Sequence, residues 1–156
     1  MKQLLQNLNT GITELADVPA PQVQKGCVLI KTAHSLVSLG TERMVVEASK
    51  GNLLQKALKQ PERVKQVIEK AKTDGMKATL NSVQNRLDEP VKLGYCNAGT
   101  VLAVGEDVLD LKPGDKVVSN GPHAEIVLVP KNLAARIPEG VSFQDAAFTV
   151  VGSIGL

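Results

Sequence analysis

The sequence predicts a mainly-β chain of the α+β class, a barrel or sandwich of short strands interrupted by one helical block. Three observations predict it. Short stretches rich in branched aliphatics, punctuated by Gly, Pro and Asn, fill residues 1–41 and 93–136. Apolar residues recur at helical spacing between about 43 and 90. Val, Leu and Ile together number 45, whereas Tyr95, Phe143 and Phe148 are the only aromatics, so the core has to be aliphatic.

In chain order, KQLLQNL, ITELADV and GCVLIKTAHSLVS read as strands set apart by Asn9, Gly11, Pro19, Pro21 and Gly26. In the third, Val28, Ile30 and Thr32 alternate with Leu29, Lys31 and Ala33, the period of a strand on a half-buried sheet.

The helical block comes next. Leu53, Leu54, Ala57 and Leu58 outline a short helix. Pro61 suits a first helical position, where its missing N–H costs nothing. Val64, Val67, Ile68 and Ala71 then form one face, with Gly75 as a stop, and Met76, Leu80, Val83 and Leu87 repeat the pattern up to Pro90. Residues 43–92 hold eleven Lys/Arg against six Asp/Glu, with no aromatic among them. That reads as a solvated amphipathic face rather than a nucleic-acid surface.

Strands and tight turns return with AGTVLAV, DKVVS, AEIVLVP and LAARIP. The Lys112-Pro113-Gly114-Asp115 turn places Gly where a type II turn needs φ > 0. A helix starts near Phe143, capped by Ser142, with Asp145 completing a weaker form of the capping box.

At 156 residues the chain is the length of one domain and needs no disulfide or metal staple. Its apolar runs fall short of the ~18 residues of a membrane span, and MKQLLQNLNTG has no signal-peptide core. Cys27 and Cys96 make no metal or redox spacing. The expectation is a cytoplasmic protein with no membrane and, at a net charge of +2, no nucleic acid as partner.

Five segments then stand out together: LVSLGTE at 36–42, GYCNAGTVLAVGEDV at 94–108, LKPGDKVV at 111–118, GPHAEIVLVP at 121–130 and VSFQDAAFTVVGSIGL at 141–156. In this order and spacing they resemble the N-terminal, GroES-like domain of the zinc-type alcohol dehydrogenase-like, or medium-chain dehydrogenase/reductase, superfamily. The resemblance implies a GroES-like, partly open β-barrel. Residues 1–142 would form the substrate-side domain, with a helical insertion at about 43–92. Residues 143–156 would begin a linker helix toward a Rossmann NAD(P)-binding domain.

Zinc-dependent members place a Cys before a Gly-(Ser/Thr)-(Asp/Glu) run and a His-Glu inside a Gly-His-Glu-x-x-Gly run. Here Leu39 precedes Gly40-Thr41-Glu42, and Tyr95-Cys96 stand between Gly94 and Gly99. Two of the three ligands that catalytic zinc needs are thereby replaced, and no zinc is expected. No G-x-G-x-x-G occurs, so NAD or NADP is expected in a full-length protein and not on this segment alone.

By this resemblance Thr41 and Glu42 supply a hydroxyl and an acid at the pocket floor, and Tyr95 takes the place of the lost histidine. These three are the catalytic candidates, with Gly40 and Thr41 lying where a nicotinamide would approach. Blander readings stand beside them. Thr41 could cap a helix, Glu42 could pair with Arg43 or a basic neighbour, and Tyr95 could fill space with its hydroxyl on backbone. His34 and His123 read as structural or solvent-facing, and Cys27 and Cys96 as small buried hydrophobes.

The function expected is the substrate-side domain of a zinc-independent, NAD(P)-dependent dehydrogenase or reductase acting on a small molecule, with hydride transfer requiring the Rossmann domain. The pattern GTER with GYCNAG also resembles large bacterial oxidoreductases fused to a Gfo/Idh/MocA-like domain, which implies a sugar-like substrate. Self-association through the helical block, giving a homo-oligomer, is compatible with the sequence. The alternative is a stand-alone interaction or scaffold module with the same barrel and no catalysis.

Overall fold

A computed structural model describes residues 1–49 and 89–155, together with Lys65, Glu69, Lys72, Thr73, Gly75, Met76 and Thr79. The helices predicted over 53–87 lie outside the described residues except at those seven positions. Six of the seven are helical, and Gly75 breaks the run with φ +87°, as a helix stop requires. The chain divides into two units, one of Met1–Leu4, Leu15–Glu42 and Lys92–Leu156, the other of Leu5–Glu14 and Arg43–Val91.

The strands are β1 (Lys2–Gln6), β2 (Thr13–Asp17), β3 (Cys27–Ser35), β4 (Val91–Lys92), β5 (Asn97–Val104), β6 (Lys116–Ser119), β7 (Ile126–Pro130) and β8 (Ala134–Arg136). Among the described residues, the helices with described bounds are α1 (Leu39–Ser49), α2 (Phe143–Ala146) and α3 (Thr149–Ile154), and a 3-10 turn covers Lys131–Leu133. Two open sheets result, in the orders β2-β1-β4 and β7-β3-β5-β6-β8. Among the described residues the fold is therefore mainly β with few helices, in open sheets and not a closed barrel.

The five-stranded sheet is antiparallel throughout. Its centre follows from sequence: Val28 faces Val129 and Val104, and Ile30 faces Val127 and Val101. Cross-strand branched pairs of this kind contribute roughly 0.2–1 kcal/mol each over alanine. They join Val108, Leu111, Val117 and Ala124 in one buried aliphatic cluster. The β3–β5 register shifts twice, with Leu102 of β5 the extra residue opposite Leu29–Ile30 and Ala33 of β3 the extra residue between Thr32 and His34, which ends the regular alternation of β3.

The start of β5 is buried on both faces. Ala98 packs with Val118, Ala146 and Ala147, so α2 and its C-cap cover the face that an isolated sheet would leave wet. Ser142 Oγ accepts from Asp145 N at 3.1 Å, the predicted cap, but the Asp145 carboxylate accepts from the Ser142 hydroxyl instead of its backbone N–H. The predicted C-terminal helix is split in two at Ala147 and Phe148. Gly114 has φ +92°, as the predicted turn demands.

In the second unit, Gln6 is fully buried and satisfied: Nε2 donates to Ser49 Oγ at 2.8 Å, and Oε1 accepts from Thr13 Oγ1. Arg43 pairs with Glu47 one turn on at 2.6 Å. Among the described residues, no helix is long and apolar enough to cross a membrane.

Candidate functional site

Sheet register assembles the site. Antiparallel pairing sets the end of β3 against the start of β5, with Ser35 opposite Asn97, and Leu36 N donates to Cys96 O at 3.0 Å. The turn 36–38 and the first turn of α1 therefore lie beside Gly94-Tyr95-Cys96. On the other edge of β3, Lys31 pairs with Ile126, and Thr32 N donates to Glu125 O at 2.9 Å, bringing His123 to Ser35. Three segments far apart in sequence meet here.

Three hydroxyls form one cluster. Tyr95 Oη donates to Ser38 Oγ at 2.8 Å and lies 3.4 Å from Thr41 Oγ1, and Ser38 Oγ lies 3.5 Å from Thr41 Oγ1. Thr41 is exposed and Tyr95 half-buried, so the cluster opens to solvent. Tyr95 thus bonds side-chain hydroxyls and not backbone. Ser38, absent from the sequence-predicted set, is the group that joins the other two.

Glu42 sits behind the cluster and is buried. Its Oε1 accepts from Ser38 N at 2.8 Å while Glu42 N donates to Ser38 O at 2.9 Å, a reciprocal lock on the entry to α1. Its Oε2 meets His123 Nε2 at 3.0 Å. The helix begins at Leu39, so Thr41 is not its cap, and Arg43 pairs with Glu47 rather than Glu42.

His123, read from the sequence as structural or solvent-facing, joins the site. Its side chain is 10% exposed and uses both nitrogens: Nε2 toward Glu42 and Nδ1 toward Ser35 Oγ at 2.8 Å. Ser35 is exposed and borders a shallow depression shared with Thr32, Ala124 and Glu125. His34, one residue away, is exposed. No spacing rule selects His123, because its partners depend on the registers of two strand pairs.

Gly40 lies on the first turn of α1, exposed, and an added Cβ would meet nothing within 4 Å. Neither its backbone nor its packing requires glycine. Leu39 beside it is 79% exposed and offers no donor atom. Cys96 is buried; desolvation pushes its thiol up, against a backbone hydrogen bond from Val151, with the Glu42 charge adding to the rise. Among the described residues, no three His, Cys, Asp or Glu side chains gather where they could hold a metal ion.

No protein-family profile matches the chain. In sequence it is 43% identical over 68 residues to the synaptic vesicle membrane protein VAT-1 homolog of Homo sapiens, a match covering 42% of this chain and 17% of that protein. In structure it superposes on the quinone oxidoreductase from Coxiella burnetii with a TM-score of 0.62 and 22% identity, covering 94% of this chain and 40% of that one. The Escherichia coli quinone oxidoreductase complexed with NADPH gives 0.63 and 14% identity, covering 94% and 36%. The chain thus spans less than half the length of these relatives.

Two open sheets in this order give the chain a GroES-like fold. The fold is shared with those solved oxidoreductases, and the likeness in sequence to the VAT-1 homolog extends over 68 residues.

Proposed function

We propose that the chain is the substrate-side part of a zinc-independent, NAD(P)-dependent oxidoreductase, with the Ser38–Thr41–Tyr95 hydroxyl cluster as its proton-handling site. The observation that carries this reading is the cluster itself: three hydroxyls within 3.5 Å of one another, open to solvent beside Gly40. A carbonyl oxygen placed on Thr41 or Tyr95 would receive a hydrogen bond that strengthens as negative charge develops on it. Ser38 accepts the Tyr95 hydrogen bond in the resting arrangement, so the phenol can turn to substrate while Ser38 and Thr41 stay paired. Glu42 holds the Ser38 backbone and through it the geometry of the cluster.

A nicotinamide, when bound, supplies the hydride. On this chain Gly40 and Thr41 are the residues that would meet it, since the open side of Gly40 leaves room for a ring where any larger residue would project. Pyrophosphate has no cradle among these motifs, and the reading assigns that role to a Rossmann domain outside residues 1–156.

The donor set does not suit zinc. Leu39 has no ligating atom, and a tyrosine phenol is a poor replacement for an imidazole ligand, so no step is routed through a metal. A small carbonyl compound is the substrate class that fits the hydroxyl cluster. A sugar-like one is the narrower version, supported by the likeness of GTER and GYCNAG to the bacterial fused oxidoreductases.

The test is NAD(P)H-dependent reduction of a panel of quinones, enones and keto-sugars by the chain extended through its downstream coding sequence. Turnover that falls ~10²-fold or more in Tyr95→Phe or Thr41→Val is expected. Stoichiometric zinc in the purified protein, or micromolar NAD(P)H binding by residues 1–156 alone, would sink the reading.

A further inference from the structure

We infer that His123 is a positioning residue, a clamp that holds the two halves of the hydroxyl cluster together; the inference rests on the reading of that cluster as the reactive site. The first half is the entry to α1. His123 Nε2 lies 3.0 Å from Glu42 Oε2, and the other Glu42 oxygen takes Ser38 N at 2.8 Å. The second half is the segment bearing Tyr95. The His123 ring lies against Gly94, so closely that a Cβ there would stand 2.6 Å from the ring carbon Cδ2. Gly94 has φ +89°, a second reason for glycine at the residue that precedes Tyr95.

The ring is fixed from every side. Its backbone N–H donates to Leu93 O at 2.8 Å, and its carbonyl accepts from Leu4 N at 2.9 Å. Its Nδ1 meets Ser35 Oγ at 2.8 Å. A carboxylate only accepts, so Nε2 carries a proton toward Glu42. A hydroxyl both donates and accepts, so Ser35 satisfies Nδ1 whether or not that nitrogen is protonated. The clamp keeps both bonds in either charge state.

The pair positions and does not relay. Glu42 reaches the cluster only through the Ser38 amide, which passes no proton, and no hydrogen bond joins the Glu42 carboxylate to Ser38 Oγ, Thr41 Oγ1 or Tyr95 Oη among those of the described residues. His123 therefore acts on geometry, and its effect has to be read at Tyr95.

Tyr95 is the only tyrosine and tryptophan is absent, so phenol absorbance and fluorescence report on this site alone. His123→Asn keeps the reach to Ser35 but loses Glu42; His123→Gln keeps a donor for Glu42. In folded protein, judged by circular dichroism, H123N should blue-shift the Tyr95 absorption band as its donated bond to Ser38 is lost, and H123Q should restore the wild-type band. A folded H123N with an unshifted band overturns the clamp. Nitrogen-15 spectra of the wild-type imidazole supply a test that needs no variant: the neutral ring should be the Nε2–H tautomer, and an Nδ1–H tautomer overturns the inference. Neither readout depends on turnover, so an inactive extended protein with a shifted H123N band would count against the oxidoreductase reading and leave the clamp standing.

Discussion

Gly99 of β5 lies against the Lys31 carbonyl of β3 with no room for a side chain: a Cβ at 99 would stand 2.2 Å from Lys31 O and 2.9 Å from Ile30 Cγ2. The nearest atom is backbone and cannot rotate away. Gly99→Ala is therefore expected to cost about 3 kcal/mol or more, read as a lowered urea midpoint. Gly114→Ala is the contrast, with φ +92° but nothing within 4 Å, and should cost about 1–2 kcal/mol from backbone strain alone. Equal losses for the two would show that β3 and β5 are not in this register.

Gly94 combines both penalties, positive φ and a ring 2.6 Å away. Gly94→Ala should destabilise more than Gly140→Ala, which shares the positive φ (+83°) in open space, by about 1–3 kcal/mol. It should also shift the His123 imidazole resonances. A G94A protein no less stable than G140A would mean that the ring does not lie on Gly94.

Burial pushes the Cys96 thiol above its ordinary range, and the Glu42 charge adds to this against the Val151 hydrogen bond. Cys27 is only half-buried. Timed alkylation at pH 8 followed by peptide mapping should label Cys27 first, with Cys96 slower by ~10-fold or more. The linkage has a definite sign. The unfolded chain ionises this thiol at lower pH than the folded one, so the unfolded state binds fewer protons there. Stability should fall as pH rises through the ordinary thiol range, and Cys96→Ala should flatten that fall. A thiolate at Cys96 near neutral pH, seen in its ultraviolet absorbance, would reverse the prediction.

Ser142 caps α2 through Asp145 N, and that helix covers Ala98 on the back of β5. Ser142→Ala should lose about 1 kcal/mol. Ser142→Asp, which keeps a side-chain acceptor, should recover most of it. A neutral S142A in thermal unfolding would place the stability of this corner in packing alone.

Much of the fold was legible because strand periods and turn chemistry are local. Alternation at Val28, Ile30 and Thr32 located β3, and Pro113-Gly114 located the turn before β6. The alternation rule fails at the start of β5, where Asn97, Ala98 and Gly99 are all buried. The reason is tertiary, since α2 covers the second face. The single C-terminal helix expected from Ser142 onward is broken at Ala147–Phe148, where no proline or glycine signals a break.

The site divides in the same way. Motif likeness marked Gly40, Thr41, Glu42 and Tyr95, and the first and last turns of that set do come together. Ser38 carried no mark and His123 read as structural or solvent-facing, because a serine before a helix and a lone histidine after Gly-Pro have no spacing that distinguishes them.

The sequence by itself determined the elements, the aliphatic core and the glycines that turns require, since each follows from a residue and its near neighbours. Only the tertiary structure decided that Ser38, Glu42, Tyr95 and His123 form one group. Their meeting depends on which residue of β3 faces which residue of β5 and β7. That register is fixed by the packing of Val28 and Ile30 between two strands and by the space Gly99 leaves for Lys31, not by any property of the four residues themselves.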